Sequence, residues 1–270
     1  MNFFRKLFKN IKGSSLVEKI LVTAFSVAAG GAIILYMSNV IIESKNMSGE
    51  DILSGDFSRN QTISDSQGTD GIIYTKVGET HYNVTGYNGS SSSIVIPSNH
   101  LGLPVKEVSS YTFHQRNEIT SVMIGSGVSA LGSGCFQNCT YITSLSIPDT
   151  VTSIGTYAFS GCMHLSSVTI PKNLTRLEEC SFYACSLASL NIPSSVTYIG
   201  DAAFQHNDFS SLYIPINVTT IGNSPFFDCR NLSHIDCAAS SRPSGFNDGW
   251  NFSQYGEGGT GIFYDVNWGV

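Results

Sequence analysis

The chain has 270 residues, of which 41% are hydrophobic, so it contains enough apolar material for a sizeable folded core. Charged residues make up only 13%, about half of the roughly 25% found in typical soluble domains. The formal net charge is −6, which argues against nucleic-acid binding through a basic face.

The N-terminal part of the sequence predicts a membrane anchor. Residues 1–19 are a basic leader, and residues 20–42 contain no charged side chain. As one transmembrane α-helix at about 1.5 Å per residue, this run spans about 34 Å, enough for a hydrocarbon core of about 30 Å, whereas a secretory h-region has only about 7–15 residues. Basic residues before the run and acidic residues after it predict a cytoplasmic N-terminus and a single pass through the cell membrane. Small residues between Ala24 and Ala32 leave self-association through the helix open.

A short motif in the leader offers an alternative to a plain anchor. The segment from Lys12 to Glu18, KGSSLVE, resembles a type IV prepilin processing site, with a basic leader, Gly13, and a glutamate five residues later. The resemblance implies cleavage between Gly13 and Ser14, and pairing of Glu18 with the new amino group of a neighbouring subunit in a filament. A carboxylate entering lipid is costly unless it is paired. Ser14 stands where the family has a bulky apolar residue, and Lys19 follows Glu18, so Glu18 and Lys19 as ordinary helix flanks remain the other interpretation.

Two regions connect the predicted anchor to the rest of the chain. Residues 43–71 are rich in Ser, Asp, Asn and Gly, which predicts a flexible stalk. Residues 72–93 contain the strand-like segments IIYTKV and HYNVTGY, separated by Gly78-Glu79. They predict a hairpin-like N-terminal cap.

Residues 94–236 repeat one pattern with a period of 22 or 23 residues. An irregular copy covers residues 94–121, and five regular blocks begin at Val122, Leu145, Val168, Leu190 and Leu212. Self-similarity at this period indicates a solenoid in which each repeat forms one coil. We therefore predict a β-rich solenoid of about six coils. The rhythm is lost after residue 236, and the aromatic residues of 237–270 predict a C-terminal cap.

The general form of a block is apolar-x-Ile-Pro-x-x-Val-x-x-Ile-Gly-x-x-x-Phe-x-x-Cys-x-x-Leu. Its opening triplet and its Val-x-x-Ile segment predict two short strands. The glycine after the second segment is predicted to supply a turn with φ > 0, although Glu178 replaces it in one block. The Phe and Cys positions predict two buried columns, which only stacked coils can bury. Their members are Phe113, Phe136, Phe159, Phe182, Phe204 and Phe226, and Cys139, Cys162, Cys185, Asn207 and Cys229.

The pattern resembles the leucine-rich repeats of the BspA-like bacterial surface proteins. The segments LSIPDTVTSIGTYAFSGCMHLSSVTIP and LNIPSSVTYIGDAAF carry the resemblance, because the spacing, the IP and IG dipeptides and the Phe recur together. The resemblance implies a leucine-rich-repeat solenoid that serves as an extracytoplasmic binding or adhesion scaffold.

The sequence offers no chemistry of its own. It lacks the P-loop, HExxH and GxSxG motifs, and no CxxC pairs with another CxxC or with histidines at zinc-site spacing. We therefore predict no enzymatic activity, no cofactor and no metal. The seven cysteines are predicted to be buried free thiols, although bridges between stacked neighbours are sterically conceivable.

The predicted functional residues lie on the outward positions of the strands. Arg176 and Tyr198 belong to one row, and Asn191 and Tyr213 belong to another. Tyr and Arg are enriched at interface hot spots, although solvated strand faces are the alternative for each residue. The resulting hypothesis is a membrane-anchored bacterial surface protein that binds an extracellular protein or a ligand on a host or neighbouring cell. A type IV pilin-like filament subunit displaying the repeats is the alternative.

Overall fold

The computed structural model describes residues 33–37, 40–44, 62–63, 68–255 and 261–270, and these residues form strands and turns with no helix. The chain divides into two compact units, residues 1–67 and 68–270. The strands of the first unit are β1 (Ile33–Met37), β2 (Val40–Ser44) and β3 (Thr62–Ile63). Those of the second are β4 (Ile72–Val77), β5 (His81–Tyr87), β6 (Ser93–Ile96), β7 (Asn99–His100), β8 (Leu103–Val108), β9 (Ser121–Ile124), β10 (Ala130–Leu131), β11 (Ser144–Ser146), β12 (Ser153–Ile154), β13 (Arg176–Leu177), β14 (Tyr198–Ile199), β15 (Leu212–Ile214), β16 (Thr220–Ile221), β17 (His234–Cys237), β18 (Gly245–Phe246), β19 (Phe252–Tyr255), β20 (Gly261–Phe263) and β21 (Asp265–Trp268).

The first unit contains a three-stranded sheet in the order β1-β2-β3. β1 and β2 are antiparallel, with Ile33 opposite Ser44 and Met37 opposite Val40. The predicted transmembrane helix over 20–42 is therefore not supported, because residues 33–37 and 40–42 are strands and residues 20–32, 38 and 39 lie outside the described ranges. This segment is rich in β-branched residues, which favour strands, and this accounts for the difference between the predicted helix and the strands. Within the described ranges, no helical segment has the length and hydropathy of a membrane span.

The second unit is a β-solenoid of about seven turns. Its ladder A contains the strands β5, β8, β10, β12, β13, β14, β16 and β18 in this order. The hydrogen-bonded pairs are parallel, and β12 lies in contact with β13. The sequence predicted about six coils because it assigned β5 and β18 to the caps, whereas both strands continue the ladder. Each strand points one apolar side chain inward, and all of these are buried: Val84, Val108, Leu131, Ile154, Leu177, Ile199, Ile221 and Phe246.

Ladder B joins the opening triplets of the coils. It consists of β6, β9 and β11 at the N-terminal end, and of β15, β17 and β21 at the C-terminal end, all parallel. The triplets at 168–170 and 190–192 were predicted as strands but are irregular. Their inward residues Ile170 and Ile192 are nonetheless 3% and 4% exposed. The apolar packing therefore continues through the middle coils where the ladder hydrogen bonding does not.

The phenylalanine column fills the solenoid core, as predicted. Its six rings are fully buried, with successive ring centroids 4.9, 5.5, 5.3, 5.6 and 6.1 Å apart and interplanar angles of 15° or less. These separations are close to the spacing of about 4.8 Å between adjacent strands. Full burial of a Phe side chain contributes on the order of 2–3 kcal/mol. No coil buries its own ring, so this stabilisation exists only in the stack.

The repeat glycines have a different role from the one predicted. Gly132, Gly155, Gly200 and Gly222 do not have positive φ; a Cβ at Gly155 would instead lie 2.6 Å from the backbone nitrogen of Ser133 in the preceding coil. At these four positions glycine is favoured because two backbones approach closely, whereas Glu178 occupies the equivalent position in one coil. Positive φ values recur two residues before and two residues after each column phenylalanine. They occur at Tyr111, Gln115, Asn138, Tyr157, Cys180, Ala184, Ala202, His206, Ser224 and Asp228, and at Gly134 and Gly161.

Aromatic residues close both ends of the column. At the N-terminal end the Tyr87 ring packs on Phe113 with centroids 5.3 Å apart, and β4 and β5 form the predicted antiparallel hairpin. At the C-terminal end Trp250 and Tyr264 are buried. The Tyr264 hydroxyl lies 3.1 Å from the carbonyl oxygen of Phe226, to which it donates a hydrogen bond. Side chains from outside the repeats thus cover the apolar ends of the stack, as solenoids require.

Candidate binding surface

The outward strand positions form the two rows that the sequence predicts. In ladder B the row contains Met123, Ser146, Thr169, Asn191 and Tyr213, and in ladder A it contains Ala130, Ser153, Arg176, Tyr198 and Thr220. No member of either row is buried, and Tyr213 is 50% exposed. Successive positions of a row lie about 4.8 Å apart where the strands pair, which gives each face a regular polar array with a few large side chains.

Arg176 and Tyr198 form a compact cluster on the ladder A face. β13 and β14 place the two residues directly opposite each other, and the guanidinium carbon of Arg176 lies 3.7 Å from the centroid of the Tyr198 ring. The Arg176 Nε donates to Glu178 Oε1 over 2.7 Å. The hydrogen bond with Glu178 raises the pKa of Arg176. A guanidinium held over an aromatic face is an established recognition element.

Glu178 is the one residue of this cluster that the sequence pattern did not predict as a site residue. It occupies the repeat position that holds glycine in the neighbouring blocks, so its side chain is an addition specific to this coil. Both of its carboxylate oxygens accept hydrogen bonds from Arg176, over 2.7 and 3.3 Å. The missing glycine at this position is visible in the sequence, but by itself it indicates only that the turn tolerates another residue.

The structure does not bring all four predicted residues together. Asn191 and Tyr213 lie on the ladder B face, and among the described residues no hydrogen bond, ion pair or ring contact joins them to Arg176 or Tyr198. Tyr213 pairs in register with Asp236 of β17. The predicted site is therefore two separate surfaces. Gly13, Ser14 and Glu18 lie outside the described residues.

The thiols of the cysteine column bond to backbone carbonyls inside the solenoid and are not part of its surface. In each coil the column thiol donates a weak hydrogen bond to the carbonyl oxygen of the phenylalanine one coil earlier, for example from Cys139 Sγ to Phe113 O over 2.9 Å. The equivalent bonds run from Cys162 to Phe136, from Cys185 to Phe159 and from Cys229 to Phe204. All seven cysteines are buried and free, as predicted.

Burial also keeps these thiols unreactive. Desolvation raises the pKa of Cys139, Cys185 and Cys229 to about 12. A thiol becomes a nucleophile or a metal ligand only as the thiolate. Within the described part of the chain, no group of three or more His, Cys, Asp or Glu side chains is arranged to hold a metal ion.

A cleft at the C-terminal end is a second feature that the sequence did not predict. It has a volume of about 210 Å³ and lies between residues 228–233 of the last repeat and the strands β19 to β21. Two carboxylates, Asp228 and Asp265, line it together with Arg230, Gln254 and Phe263. Asp228 and Arg230 are more than 20 positions from Gln254, Phe263 and Asp265 in the chain, and these residues belong to no motif, so no sequence signal links the two walls.

The family model of the BspA type leucine-rich repeat region, with six copies, matches residues 83–208 and 130–243. These matches together cover more than half of the chain. The chain belongs to the BspA-type leucine-rich repeat family. No curated protein matches it.

Several solved structures are similar to this chain. A leucine rich cell surface protein from Faecalibacterium prausnitzii A2-165 is 25% identical over 73% of this chain and 61% of its own, with a TM-score of 0.52. The leucine-rich repeat protein TpLRR from T. pallidum is 24% identical over 62% of this chain and 69% of its own, with a TM-score of 0.47. A leucine-rich repeat protein from Eubacterium ventriosum is 23% identical over 61% of this chain and 44% of its own, with a TM-score of 0.49. The chain thus spans less than two thirds of the F. prausnitzii protein.

Proposed function

We propose that this BspA-type repeat protein is displayed on a bacterial cell surface, where its solenoid binds a protein ligand and mediates adhesion. The observation that carries the proposal is the Arg176–Tyr198–Glu178 cluster, a partly exposed and pre-oriented group on an otherwise regular face of small side chains. Tyr and Arg are among the residues that dominate binding energies at protein interfaces. The F. prausnitzii relative, described as a cell surface protein, supports the location.

The ladder A face suits a binding role because its backbone is rigid. The Thr197 amide donates to Thr175 O over 2.9 Å, and the Thr219 amide to Thr197 O over 3.0 Å, so consecutive coils are tied together beside the cluster. The Arg176 side chain is held by Glu178 on one side and by the Tyr198 ring on the other. Side chains that are ordered before binding lose less conformational entropy on association.

The test is capture of extracellular-protein ligands by the full-length chain and by two variants. Arg176→Ala combined with Tyr198→Ala should reduce capture at least about tenfold, because hot-spot truncations cost about 2 kcal/mol or more. Tyr141→Ala is the control, since Tyr141 is an exposed tyrosine, at 52%, that lies in neither row. Equal capture by the double variant and the control would refute the proposed face. Tyr213→Ala, assayed separately, reports on the ladder B face.

We further propose that the chain attaches to the membrane through residues 20–42. Support comes from the composition of that run, which is apolar and contains no charged residue. Cell fractionation tests the proposal: the chain should remain in the membrane pellet after an alkaline carbonate wash, and a chain lacking residues 20–42 should not. Release of the intact chain by the wash would contradict membrane attachment.

The alternative of a pilin-like filament subunit rests on Gly13, Ser14 and Glu18. N-terminal sequencing of the mature protein separates the two possibilities. A mature chain that begins at Ser14 supports the filament subunit, and one that retains residues 1–13 supports the plain anchor. Replacement of Glu18 by Gln should abolish filament assembly only if the first result is obtained.

We also propose that the protein acts by binding and not by catalysis. The buried, protonated state of the cysteine column supports this, because its thiols offer no nucleophile to a substrate. Screening against ester, peptide and glycoside substrates should give no turnover. Activity that disappears when residues 237–270 are deleted would contradict the proposal and would direct attention to the C-terminal cleft.

A further inference from the structure

The C-terminal cleft has the size of a site for one side chain. Its volume of about 210 Å³ is below the roughly 300–1,000 Å³ of pockets that enclose a drug-sized ligand. One wall is the turn that carries Asp228 and Arg230 in the last repeat, and the other is formed by Gln254, Phe263 and Asp265 of the C-terminal strands. The cleft is therefore shaped for a protruding group of a larger partner.

The first of its two carboxylates is already neutralised. Asp228 Oδ1 accepts from Arg230 Nε over 2.9 Å, and Oδ2 accepts from His206 Nδ1 over 2.9 Å. Arg230 and, secondarily, His206 hold the pKa of Asp228 below its usual value. Asp228 and Arg230 are thus an ionised pair with little net charge, and both Asp228 oxygens already accept hydrogen bonds.

The second carboxylate is available. Asp265 is exposed, and within the described residues its side chain has no hydrogen bond or ion pair. Its in-register neighbour on β17, His234, is bonded instead to Ser233 Oγ over 2.9 Å. Because Arg230 is committed to Asp228, the lining of the cleft carries one uncompensated negative charge. A cation entering the cleft would therefore be attracted to Asp265.

The remaining lining suits a cation carried on an aliphatic stem. Phe263 is 53% exposed and Ile262 is 42% exposed, which is unusual for large apolar side chains next to a packed cap. Aromatic faces attract Lys and Arg cations, and apolar walls pack against their methylene stems. The exposed Gln254 side chain adds an amide oxygen that accepts hydrogen bonds.

We infer that this cleft receives a lysine or arginine side chain of the partner protein, with Asp265 as the counter-ion and Phe263 as the aromatic wall. The inference rests on the proposed function, because it requires a protein ligand. It adds a second contact region, at the C-terminal end of the solenoid, to the Arg176–Tyr198–Glu178 cluster. The two regions would recognise different groups, since Arg176 and Glu178 are an ion pair with little net charge beside the Tyr198 ring, whereas the cleft presents an anion.

The test uses ligand-observed saturation-transfer NMR on the full-length chain in detergent. The probes are Nα-acetyl-L-arginine amide and its neutral isostere Nα-acetyl-L-citrulline amide. The arginine probe should bind the more tightly, and Asp265→Asn should lower its affinity by at least about threefold, the upper range for a partly exposed ion pair. Phe263→Ala should lower it as well. Asp208→Asn is the matched control, because it removes an exposed carboxylate outside the cleft.

Three results would overturn the inference. The first is equal affinity of the natural chain for the two probes, and the second is equal affinity of the Asp265→Asn and Asp208→Asn variants for the arginine probe. The third is the absence of saturation transfer at about 10 mM arginine probe, which would mean a binding free energy weaker than about −2.7 kcal/mol. Thermal unfolding of each variant checks that the fold is retained. If the cleft test fails but the Arg176→Ala/Tyr198→Ala variant loses protein capture, only the inference about the cleft is refuted and the proposed function stands. Arginine binding without any protein capture would remove the proposed function.

Discussion

Asn207 is the residue whose replacement tests the packing account most sharply. It stands in the cysteine column, is 1% exposed, and donates through Nδ2 to the carbonyl oxygens of Phe182 and Phe204, each over 2.9 Å. Its Oδ1 also accepts from the Leu187 amide over 3.0 Å. In the coil before it, the equivalent amide of Leu165 bonds instead to Cys162 O over 3.0 Å.

The difference follows from a one-residue deletion. Cys162 and Leu165 are separated by two residues, whereas Cys185 and Leu187 are separated by one. In the shortened turn the Leu187 amide is bonded not to the carbonyl of its own column cysteine but to the side-chain oxygen of Asn207 in the next coil. A cysteine at position 207 offers a donor but no comparable acceptor. Asn207 thus compensates for the short turn.

These bonds determine how much free energy of unfolding each substitution should remove. Asn207→Ala leaves Phe182 O and Leu187 N–H buried without their partner, whereas Phe204 O keeps its bond from Cys229 Sγ. Each unpaired buried group costs about 1–3 kcal/mol, so the free energy of unfolding should fall by about 2–6 kcal/mol. Asn207→Cys restores a donor for Phe182 O and should cost about 1–3 kcal/mol.

Urea denaturation of the full-length chain, followed by circular dichroism, measures both variants. Insertion of one residue between Ser186 and Leu187 provides the coupled test: in that background Asn207→Cys should cost less than in the natural chain, because Leu187 regains the Cys185 carbonyl. An Asn207→Ala cost below about 1 kcal/mol, or an Asn207→Cys cost unaffected by the insertion, would refute the reasoning.

Three further predictions concern the core. Gly155→Ala should lower the free energy of unfolding by more than about 1 kcal/mol in urea denaturation, because the added Cβ would meet the Ser133 backbone. An unchanged urea midpoint would contradict this prediction. Phe159→Ala should cost about 3–5 kcal/mol in the same assay, and a loss below about 1 kcal/mol would mean that the column is not tightly packed. The buried cysteines should not react with a thiol reagent at pH 8 until urea is added. Since folding raises the pKa of Cys139, Cys185 and Cys229 from 9.0 to about 12, the unfolded chain releases these protons first as the pH rises. Their contribution is complete below pH 9 and should be lost between about pH 9 and 12, and a variant with serine at the three positions should lose less stability over that range.

The periodicity of the sequence predicted the solenoid because the repeat signal is redundant. Phe136, Phe159 and Phe182 recur at a fixed spacing that only stacked coils satisfy, and one irregular block does not obscure the pattern. The same redundancy predicted the buried cysteine column and the outward rows. The number of turns was underestimated because β5 and β18 keep the ladder geometry without the repeat residues.

The remaining features depend on contacts between coils, which a single block does not encode. The glycine position was interpreted as a φ > 0 turn, but the neighbouring coil and not the local dihedral excludes a Cβ at Gly155. The bond of Arg176 to Glu178 lies within one coil, whereas its stacking on Tyr198 depends on the register between two. The C-terminal cleft combines the last repeat with strands that have no period. Residues 33–37 and 40–42 show the opposite case, where apolar composition predicted a helix and these residues, many of them β-branched, lie in antiparallel strands.

Amide hydrogen exchange of the column phenylalanines tests the central claim most directly, namely that the coils form one stack through bonds between neighbours. The amides of Phe136, Phe159, Phe182 and Phe204 each donate to a carbonyl of the following coil, over 2.8–2.9 Å. All four should exchange only through global unfolding, with similar opening free energies that fall together with the urea concentration. Rapid exchange at the central Phe159 and Phe182 under native conditions would contradict the stacked solenoid.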